Sequence, residues 1–304
     1  MKKLISSLLL LAIAASMLAT AFAVFAEDGT PQAENLEFCT YRAVSVGGKL
    51  SATDSDGSIV SYEITTPPGK GSIELSPDGS FVYTPEPGKK GKDYFGYKAV
   101  DDQGHYSSEA TVIIRIQKQK TKTTYSDMEG KPSAWAAVML AEEGIFVGQC
   151  LAGEYVFCPD ASVSRGEFLA MCMKAAGTDI LRSASSTGFA DDEAMPAWAK
   201  PYVGTALSLG LIEGYSENGE GIVFSPNEPV SALEAAVMLD SVMELTDAVA
   251  VWHSFEQSVP AWAQQAVANL SAKGMLAQGM ELSADSLTRA QAAEMICRAM
   301  IEKS

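Results

Sequence analysis

Val163-Ser164-Arg165-Gly166-Glu167, Val230-Ser231-Ala232-Leu233-Glu234 and Leu287-Thr288-Arg289-Ala290-Gln291 share one order: an apolar residue, a hydroxyl residue, two further residues, then Glu or Gln. That order is a capping box, in which the hydroxyl accepts from the amide three residues on and the Glu or Gln side chain reaches back to the cap amide. The apolar residue in front stands where a hydrophobic staple would stand. A helical run follows each one, such as Phe168 to Ala175 or Ala292 to Met300. One box is a weak signal. Three at matched places predict a helical repeat, each copy burying one face against its neighbours.

Capping does not account for Arg165 and Arg289. Both fall at the first helical position, where the macrodipole disfavours a cation. Two readings stand. Each is an exposed arginine beside Glu167 or Gln291, contributing little. Or each is a guanidinium fork beside free helix amides, an arrangement suited to a carboxylate or phosphate.

Lys2 and Lys3 precede an apolar run from Leu4 to about Leu18, followed by small residues and Val24-Phe25-Ala26. This is the pattern of a secretory signal peptide over 1–26, cut after Ala26. No other run is long enough to span a bilayer, so the reading is an exported chain that does not span the membrane after cleavage. Loss of Lys2 and Lys3 takes the formal net charge from −16 to −18. That balance argues against general binding to nucleic acid or anionic membranes and makes any anion site local.

The five cysteines are Cys39, Cys150, Cys158, Cys172 and Cys297. An odd count does not make a disulfide framework. Cys172 and Cys297 sit inside helical runs as small buried hydrophobes. Cys150 and Cys158 flank a short loop, and whether they are bridged stays open. No Cys/His cluster supports a metal site.

Residues 27–36 read as a linker, and 37–118 as strands and turns. Ser58 to Ile64, Gly71 to Leu75, Phe81 to Tyr83, Tyr94 to Tyr97 and Thr111 to Ile116 alternate. Between them lie Asp56-Gly57, Pro67-Pro68-Gly69, Pro77-Asp78-Gly79, Pro87-Gly88 and Gln103-Gly104. Short alternating strands at regular turn spacing predict an antiparallel sandwich. Asp54-Ser55-Asp56-Gly57, Pro77-Asp78-Gly79-Ser80-Phe81-Val82-Tyr83-Thr84-Pro85, Gly91-Lys92-Asp93-Tyr94-Phe95-Gly96-Tyr97 and Asp101-Asp102-Gln103-Gly104 resemble the bacterial cadherin-like, Ig-like repeats of surface adhesins and exported enzymes. The resemblance implies a seven-stranded spacer or adhesion module. It makes Asp54, Asp56, Asp101 and Asp102 calcium candidates, against the simpler reading that Asp-Gly makes turns.

Residues 119–124 read as a second linker, and from Tyr125 the chain is helical and repetitive, with copies at 125–180, 187–246 and 250–304. Trp198 and Trp262 each lie in Pro-Ala-Trp-Ala, with Gly210 and Gly274 twelve residues on; Trp135 precedes Gly144 by nine. The plainer reading of these tryptophans is core packing. Tyr125-Ser126-Asp127 and Phe189-Ala190-Asp191 open two copies, and Phe157-Cys158-Pro159 and Phe224-Ser225-Pro226 precede two of the capping boxes.

This order closely resembles the S-layer homology domain. The resemblance implies an all-α pseudo-trimer following the all-β sandwich, with grooves that bind an anionic secondary cell-wall polymer or peptidoglycan-linked glycan. Arg165 and Arg289 would contact the acidic sugar, assisted by Asp127, Asp191, Trp135, Trp198 and Trp262. The chain departs from the family at Ala232, which replaces the arginine, and at Gln291, which replaces the glutamate. In the third copy Phe255-Glu256-Gln257 lacks the opening aspartate, and the Phe-x-Pro segment is missing.

His105 and His253 are the two histidines, and no nucleophile–base set or phosphate loop accompanies them. The sequence therefore reads as a non-catalytic protein of the cell wall or S-layer surface, with other S-layer proteins as further partners. A lattice-forming S-layer subunit and an accessory part of a wall-anchored polysaccharide hydrolase are the alternatives.

Overall fold

The computed structural model describes residues 29–183, 185–216, 221–245, 259–277, 280–283 and 285–303. The signal peptide over 1–26, His253 and Phe255-Glu256-Gln257 lie outside the described residues. The chain divides into two compact units. Of the described residues, one holds 29–142 together with Val147–Phe157; the other holds Glu143–Phe146 and those from Cys158 onward.

The first unit is built on a β-sandwich. Its strands are β1 (Gln32–Ala33), β2 (Leu36–Tyr41), β3 (Val46–Lys49), β4 (Ala52–Thr53), β5 (Ile59–Thr66), β6 (Gly71–Leu75), β7 (Ser80–Pro85), β8 (Gly91–Asp101) and β9 (Ala110–Gln117). One sheet has the order β2-β9-β8-β5 and the other β3-β7-β6, with a short β1-β4 pair beside them. Seven main strands in two sheets match the expected sandwich. Along β9, Ala110, Val112, Ile114 and Ile116 are buried and alternate with less buried residues, as a sheet with one face on a core requires. Phe81 stands edge-on between Phe38 and Phe95, with centroids 5.2 and 5.4 Å away.

Two segments differ from expectation. The stretch 27–36, read as a linker, contributes β1 and the first residue of β2, and its Glu34 carbonyl accepts from the Tyr97 hydroxyl at 2.6 Å. β2 runs parallel to β9, with Leu36 opposite Val112 and Tyr41 opposite Gln117. The stretch 119–124 is likewise fastened down. Glu142 accepts the amides of Lys120 (2.6 Å) and Thr121 (2.8 Å) and the Thr121 hydroxyl.

Glu142 ends helix α1 (Ala134–Glu142), which belongs to the sandwich unit. The approach to α1 is tied to β3 by hydrogen bonds from the Gly47 amide to the Pro132 carbonyl (2.8 Å) and from the Trp135 amide to the Ser45 carbonyl (3.1 Å).

The second unit carries α2 (Arg165–Ala176), α3 (Lys200–Ser208), α4 (Ala232–Met243), α5 (Ala261–Ala272) and α6 (Arg289–Glu302). All three capping boxes form. Ser164, Ser231 and Thr288 accept from the amides of Glu167, Glu234 and Gln291, and each of those side chains returns a bond to its cap amide. The staple residues join the three caps in a ring. The Val163 amide donates to Leu287, the Leu287 amide to Val230, and the Val230 amide to Val163, at 2.8–3.1 Å. Each staple residue is at most 2% exposed, so this closed cycle of backbone bonds lies inside the unit, where an unmade bond would be costly.

Candidate functional site

The ring decides what the helix N-termini can do. The Arg165 amide donates to the Glu228 carbonyl (2.9 Å) and the Gly166 amide to Pro226 (2.9 Å). The Ala232 amide donates to Asp285 (3.3 Å), the Arg289 amide to Ala161 (2.8 Å), and the Ala290 amide to Pro159 (3.0 Å). The third helical amide of each box takes the cap hydroxyl. At α2 and α6 the first three helical amides are therefore engaged, because the turn before each cap supplies carbonyls to the next helix in the ring.

Arg165 is committed as well. It is 5% exposed. Its Nε donates to the Phe224 carbonyl at 2.8 Å and its Nη1 to Glu234 Oε1 at 2.5 Å. The guanidinium lies 5.1 Å from the Phe224 ring centroid and 5.6 Å from that of Tyr215. Glu234 divides its two oxygens between two jobs. Oε2 closes the capping box with the Ser231 amide and hydroxyl, both at 2.9 Å, and Oε1 holds Arg165. This ion pair explains how a cation is tolerated at the positive end of a helix: a carboxylate from the next cap segment neutralises it. Arg289 lies 5.2 Å from the Phe146 centroid. At the remaining junction of the ring, the arginine and glutamate positions hold Ala232 and Gln291, both uncharged.

A cavity of about 560 Å³ opens beside Arg165. Arg165 and Glu234 form one part of its wall, Glu213 and Tyr215 another, and Met238 and Trp262 complete it. Residues far apart in the sequence, Arg165, Glu213, Glu234 and Trp262 among them, thus contribute to one concavity. Of these residues the sequence reading singled out Arg165 and Trp262 for binding. Glu234 was hidden behind its capping role, and Glu213 and Tyr215 follow Gly210 with no motif to mark them.

The described tryptophans separate into two kinds. Trp198 and Trp262 are 48% and 58% exposed, whereas Trp135 is 6% exposed and its Nε1 has no hydrogen-bond partner. Core packing therefore describes Trp135, and an accessible aromatic surface describes the other two.

Asp127 and Asp191 brace the backbone. Asp127 accepts the Phe157 amide through both oxygens at 2.9 and 3.1 Å. Asp191 accepts the amides of Phe224 (3.1 Å) and Ser225 (2.8 Å). Each thus fixes the Phe-x-Pro turn of its own repeat. The middle residues of those turns, Cys158 and Ser225, both have φ 55°, a left-handed backbone that such bracing holds in place. Both carboxylates thus serve as backbone acceptors in the structure.

The neighbouring Asp192 accepts the Lys200 ammonium (2.9 Å) and the Thr187 amide (2.7 Å) and hydroxyl (2.8 Å). The Lys200 contact first, then Thr187, holds its carboxyl down at about 2. A depressed folded-state pKa gives stability that is present above the unfolded value, ~4, and lost as pH falls toward 2. The Asp192→Asn variant is therefore expected to lose less stability than wild type between about pH 4 and 2, as read by thermal melts across that range.

The aspartates at the end of the sandwich serve its turns. Asp101 accepts the Gln103 (2.9 Å) and His105 (2.7 Å) amides, Asp102 the Ser58 hydroxyl (3.1 Å), and Asp54 the Asp56 amide at 3.5 Å. Among the described residues, no group of three or more His, Cys, Asp or Glu is placed to hold a metal ion. None of the five cysteines is disulfide-bonded, Cys150 and Cys158 included. Burial pushes the Cys172 and Cys297 thiols up, which marks them as inert core residues.

Residues 26–118 match the model of the bacterial cadherin-like domain, and residues 188–236 match that of the S-layer homology domain. The matches show a cadherin-like domain and an S-layer homology domain, both of surface-layer or adhesion type. Over 142 residues it is 26% identical to the Surface-layer 125 kDa protein of Lysinibacillus sphaericus, a match covering 46% of this chain and 12% of that protein. The chain therefore spans about an eighth of that relative's length. The S-layer homology match and this relative both point to the cell surface. Among solved structures, the chain resembles the SrpA adhesin from Streptococcus sanguinis (18% identity, 34% of this chain and 64% of that one, TM-score 0.26). It also resembles the fibronectin(III)-like modules of Clostridium thermocellum CbhA (17% identity, 32% and 52%, TM-score 0.21). The sandwich assignment rests on its own strand order, not on these slight likenesses. No helix among the described residues is long and apolar enough to cross a membrane.

Proposed function

We propose that this is an exported, non-catalytic protein held at the bacterial surface by S-layer homology repeats that bind a cell-wall polymer. Three repeats, over 125–180, 187–246 and 250–304, would form the binding body, and the sandwich would serve as spacer or adhesion module. The observation that carries the reading is the cavity beside Arg165, to which the first repeat gives a guanidinium, the second a carboxylate and the third an exposed indole. Concave sites with apolar walls and a few convergent polar groups are the usual form of a small-ligand site, and this volume lies within the ordinary range of ~300–1,000 Å³. The cyclic hydrogen bonding of Val163, Val230 and Leu287 supports a pseudo-threefold arrangement of the repeats.

The test is sedimentation of the full chain with purified cell-wall sacculi, before and after acid extraction of wall-linked polymers. The chain is expected to pellet with intact sacculi and to stay in the supernatant with extracted ones. Pelleting with both would assign the binding to peptidoglycan itself. Pelleting with neither would end the wall-binding reading.

A further inference from the structure

We infer that β6 of the sandwich pairs with β6 of a second copy of the chain, joining two sandwiches through one continuous sheet. A free sheet edge presents unpaired backbone groups, and proteins blunt such edges with bulges, covers or charges. Three of the four edges here are blunted. β5 slips its register against β8 twice, between Ile59 and Ser61 and between Ile64 and Thr66. The approach to α1 covers β3, where the Gly47 amide donates to the Pro132 carbonyl at 2.8 Å. Helix α1 itself packs against β2. β6 is different: it is regular against β7 from Gly71 to Leu75 and contains no proline, lysine or arginine. The phase of its ladder is fixed at both ends. The Glu86 amide donates to the Lys70 carbonyl at 2.9 Å, and the Ser76 amide to the Ser80 carbonyl at 2.7 Å. Hydrogen-bonded and non-hydrogen-bonded pairs alternate in an antiparallel ladder. Ser72 and Glu74 therefore bond to β7, and the amides and carbonyls of Gly71, Ile73 and Leu75 point away from it. Pro85, which has no amide to give, stands opposite Gly71 as this phase requires. Among the described residues, nothing bonds to those outward groups.

The segment is complementary to itself. An antiparallel pair centred on Ile73 sets Gly71 against Leu75 of the second copy, Ile73 against Ile73, and Leu75 against Gly71. Every residue in those pairs has its backbone groups outward, so about six hydrogen bonds close across the edge. On the exposed face Ser72 then stands opposite Glu74, a hydroxyl donor facing a carboxylate, twice per dimer. On the other face the half-buried Ile73 and Leu75 lose further apolar surface to water. Gly71 leaves room for the opposing Leu75. It has to be glycine, because a Cβ there would lie 2.5 Å from the Thr84 carbonyl oxygen and 2.6 Å from the Tyr83 ring. Neighbouring registers are worse. Centring on Glu74 places the two glutamates directly opposite, which is destabilising. Centring on Ser72 calls on the Gly69 amide, which Asp93 already accepts at 3.0 Å. The two-fold pairing uses the same edge on both copies, so it closes at a dimer and does not propagate. A five-residue strand pair buries less than the ~800 Å² per partner of a stable interface, so a dissociation constant on the order of 100 µM is expected. Dimerisation of this kind is independent of wall binding.

The test is sedimentation equilibrium of the full chain from ~10 µM to ~1 mM at about 0.15 M salt, where long-range repulsion between the acidic chains is screened. Wild type, Ser72→Glu and Ser72→Lys are compared. Ser72 is exposed, so both variants keep the fold, which circular dichroism checks. Wild type is expected to pass from monomer to dimer across the range. Ser72→Glu puts a like charge opposite Glu74 at two places and should raise the dissociation constant roughly tenfold, whereas Ser72→Lys should lower it several-fold. Amide hydrogen exchange followed by NMR gives the second readout. Protection at Gly71, Ile73 and Leu75 should rise with concentration, while Ser72 and Glu74, already bonded to β7, stay as they are. A wild type that remains monomeric to ~1 mM overturns the inference and leaves the edge to another partner or to none. A dimer whose strength is unchanged by both variants, or changed in the same direction by both, forms through another surface and overturns it equally. Concentration-dependent protection that misses Gly71, Ile73 and Leu75 does the same.

Discussion

Replacing Asp93 with alanine is expected to cost the sandwich ~3–5 kcal/mol, a large part of the stability of a domain of this size. Asp93 lies in β8 and is 4% exposed. Its Oδ2 accepts the Tyr83 hydroxyl at 2.8 Å and the Lys70 amide at 2.8 Å, and its Oδ1 accepts the Gly69 amide at 3.0 Å. One buried carboxylate therefore joins β8, β7 and the turn ahead of β6. Burial first, then this contact with Asp93, pushes the Tyr83 phenol well up, so Tyr83 stays the donor at any ordinary pH. Alanine removes the acceptor of three donors at once and strands the buried Tyr83 hydroxyl, and a stranded buried donor costs more than a hydrogen bond contributes on average. Asp93→Asn keeps one acceptor oxygen and should cost about half as much, and Tyr83→Phe ~1–2 kcal/mol. Urea denaturation of the full chain, followed by a probe of the sandwich, checks the series. A loss under about 1 kcal/mol for Asp93→Ala would show that the turn finds other acceptors.

The sequence made Asp93 hard to notice, and the reason is physical. Alternation announces which strand residues face a core, and in β9 it did so correctly. An aspartate facing inward breaks the alternation and reads as a loop residue. β2 and β3 were missed for related reasons. Leu36–Tyr41 has no strict alternation because it is a parallel edge strand, and β3 contains Gly47 and Gly48. Gly48 is required by packing: a Cβ there would lie 2.5 Å from the Phe81 ring and 2.6 Å from Phe38. Glycine in a strand reads as a turn until the ring that needs the space is known.

Local chemistry was the most legible part of the helical half. A capping box lies within four residues, so its hydrogen bonds follow from sequence, and all three formed. What each box does beyond its own helix is a tertiary matter. No spacing shows that Glu234 reserves one oxygen for Arg165, sixty-nine residues away. Nor does it show that the helix amides are taken by carbonyls of another repeat. For the same reason the bracing role of Asp127 and Asp191 could not be read from the sequence. Their partners, Phe157, Phe224 and Ser225, lie about thirty residues downstream. Burial sets Trp135, in the core, apart from the exposed Trp198 and Trp262.

Arg165→Ala is expected to destabilise the helical unit by ~3–4 kcal/mol, whatever it does to binding. The change removes a buried ion pair, the bond to the Phe224 carbonyl and two ring contacts. It also leaves Glu234 Oε1 without its partner in a part-buried position. Glu234→Gln should cost less, ~2 kcal/mol, since an amide can still close the capping box, as Gln291 does with Thr288. The informative variant is the double one. Arg165→Ala with Glu234→Gln copies the uncharged junction that the chain already contains at Ala232 and Gln291. Removing both members of a buried pair avoids the stranded charge, so the double variant should be more stable than the sum of the single losses predicts, by roughly 2 kcal/mol. A thermodynamic cycle from urea melts of the four proteins measures that coupling. Strict additivity would mean that the pair is only a surface contact, and Arg165 would again be available to an acidic ligand. A coupling of the expected size makes the ion pair the clasp between α2 and α4. Any loss of wall binding in Arg165→Ala must then be compared with the double variant before it is assigned to the ligand.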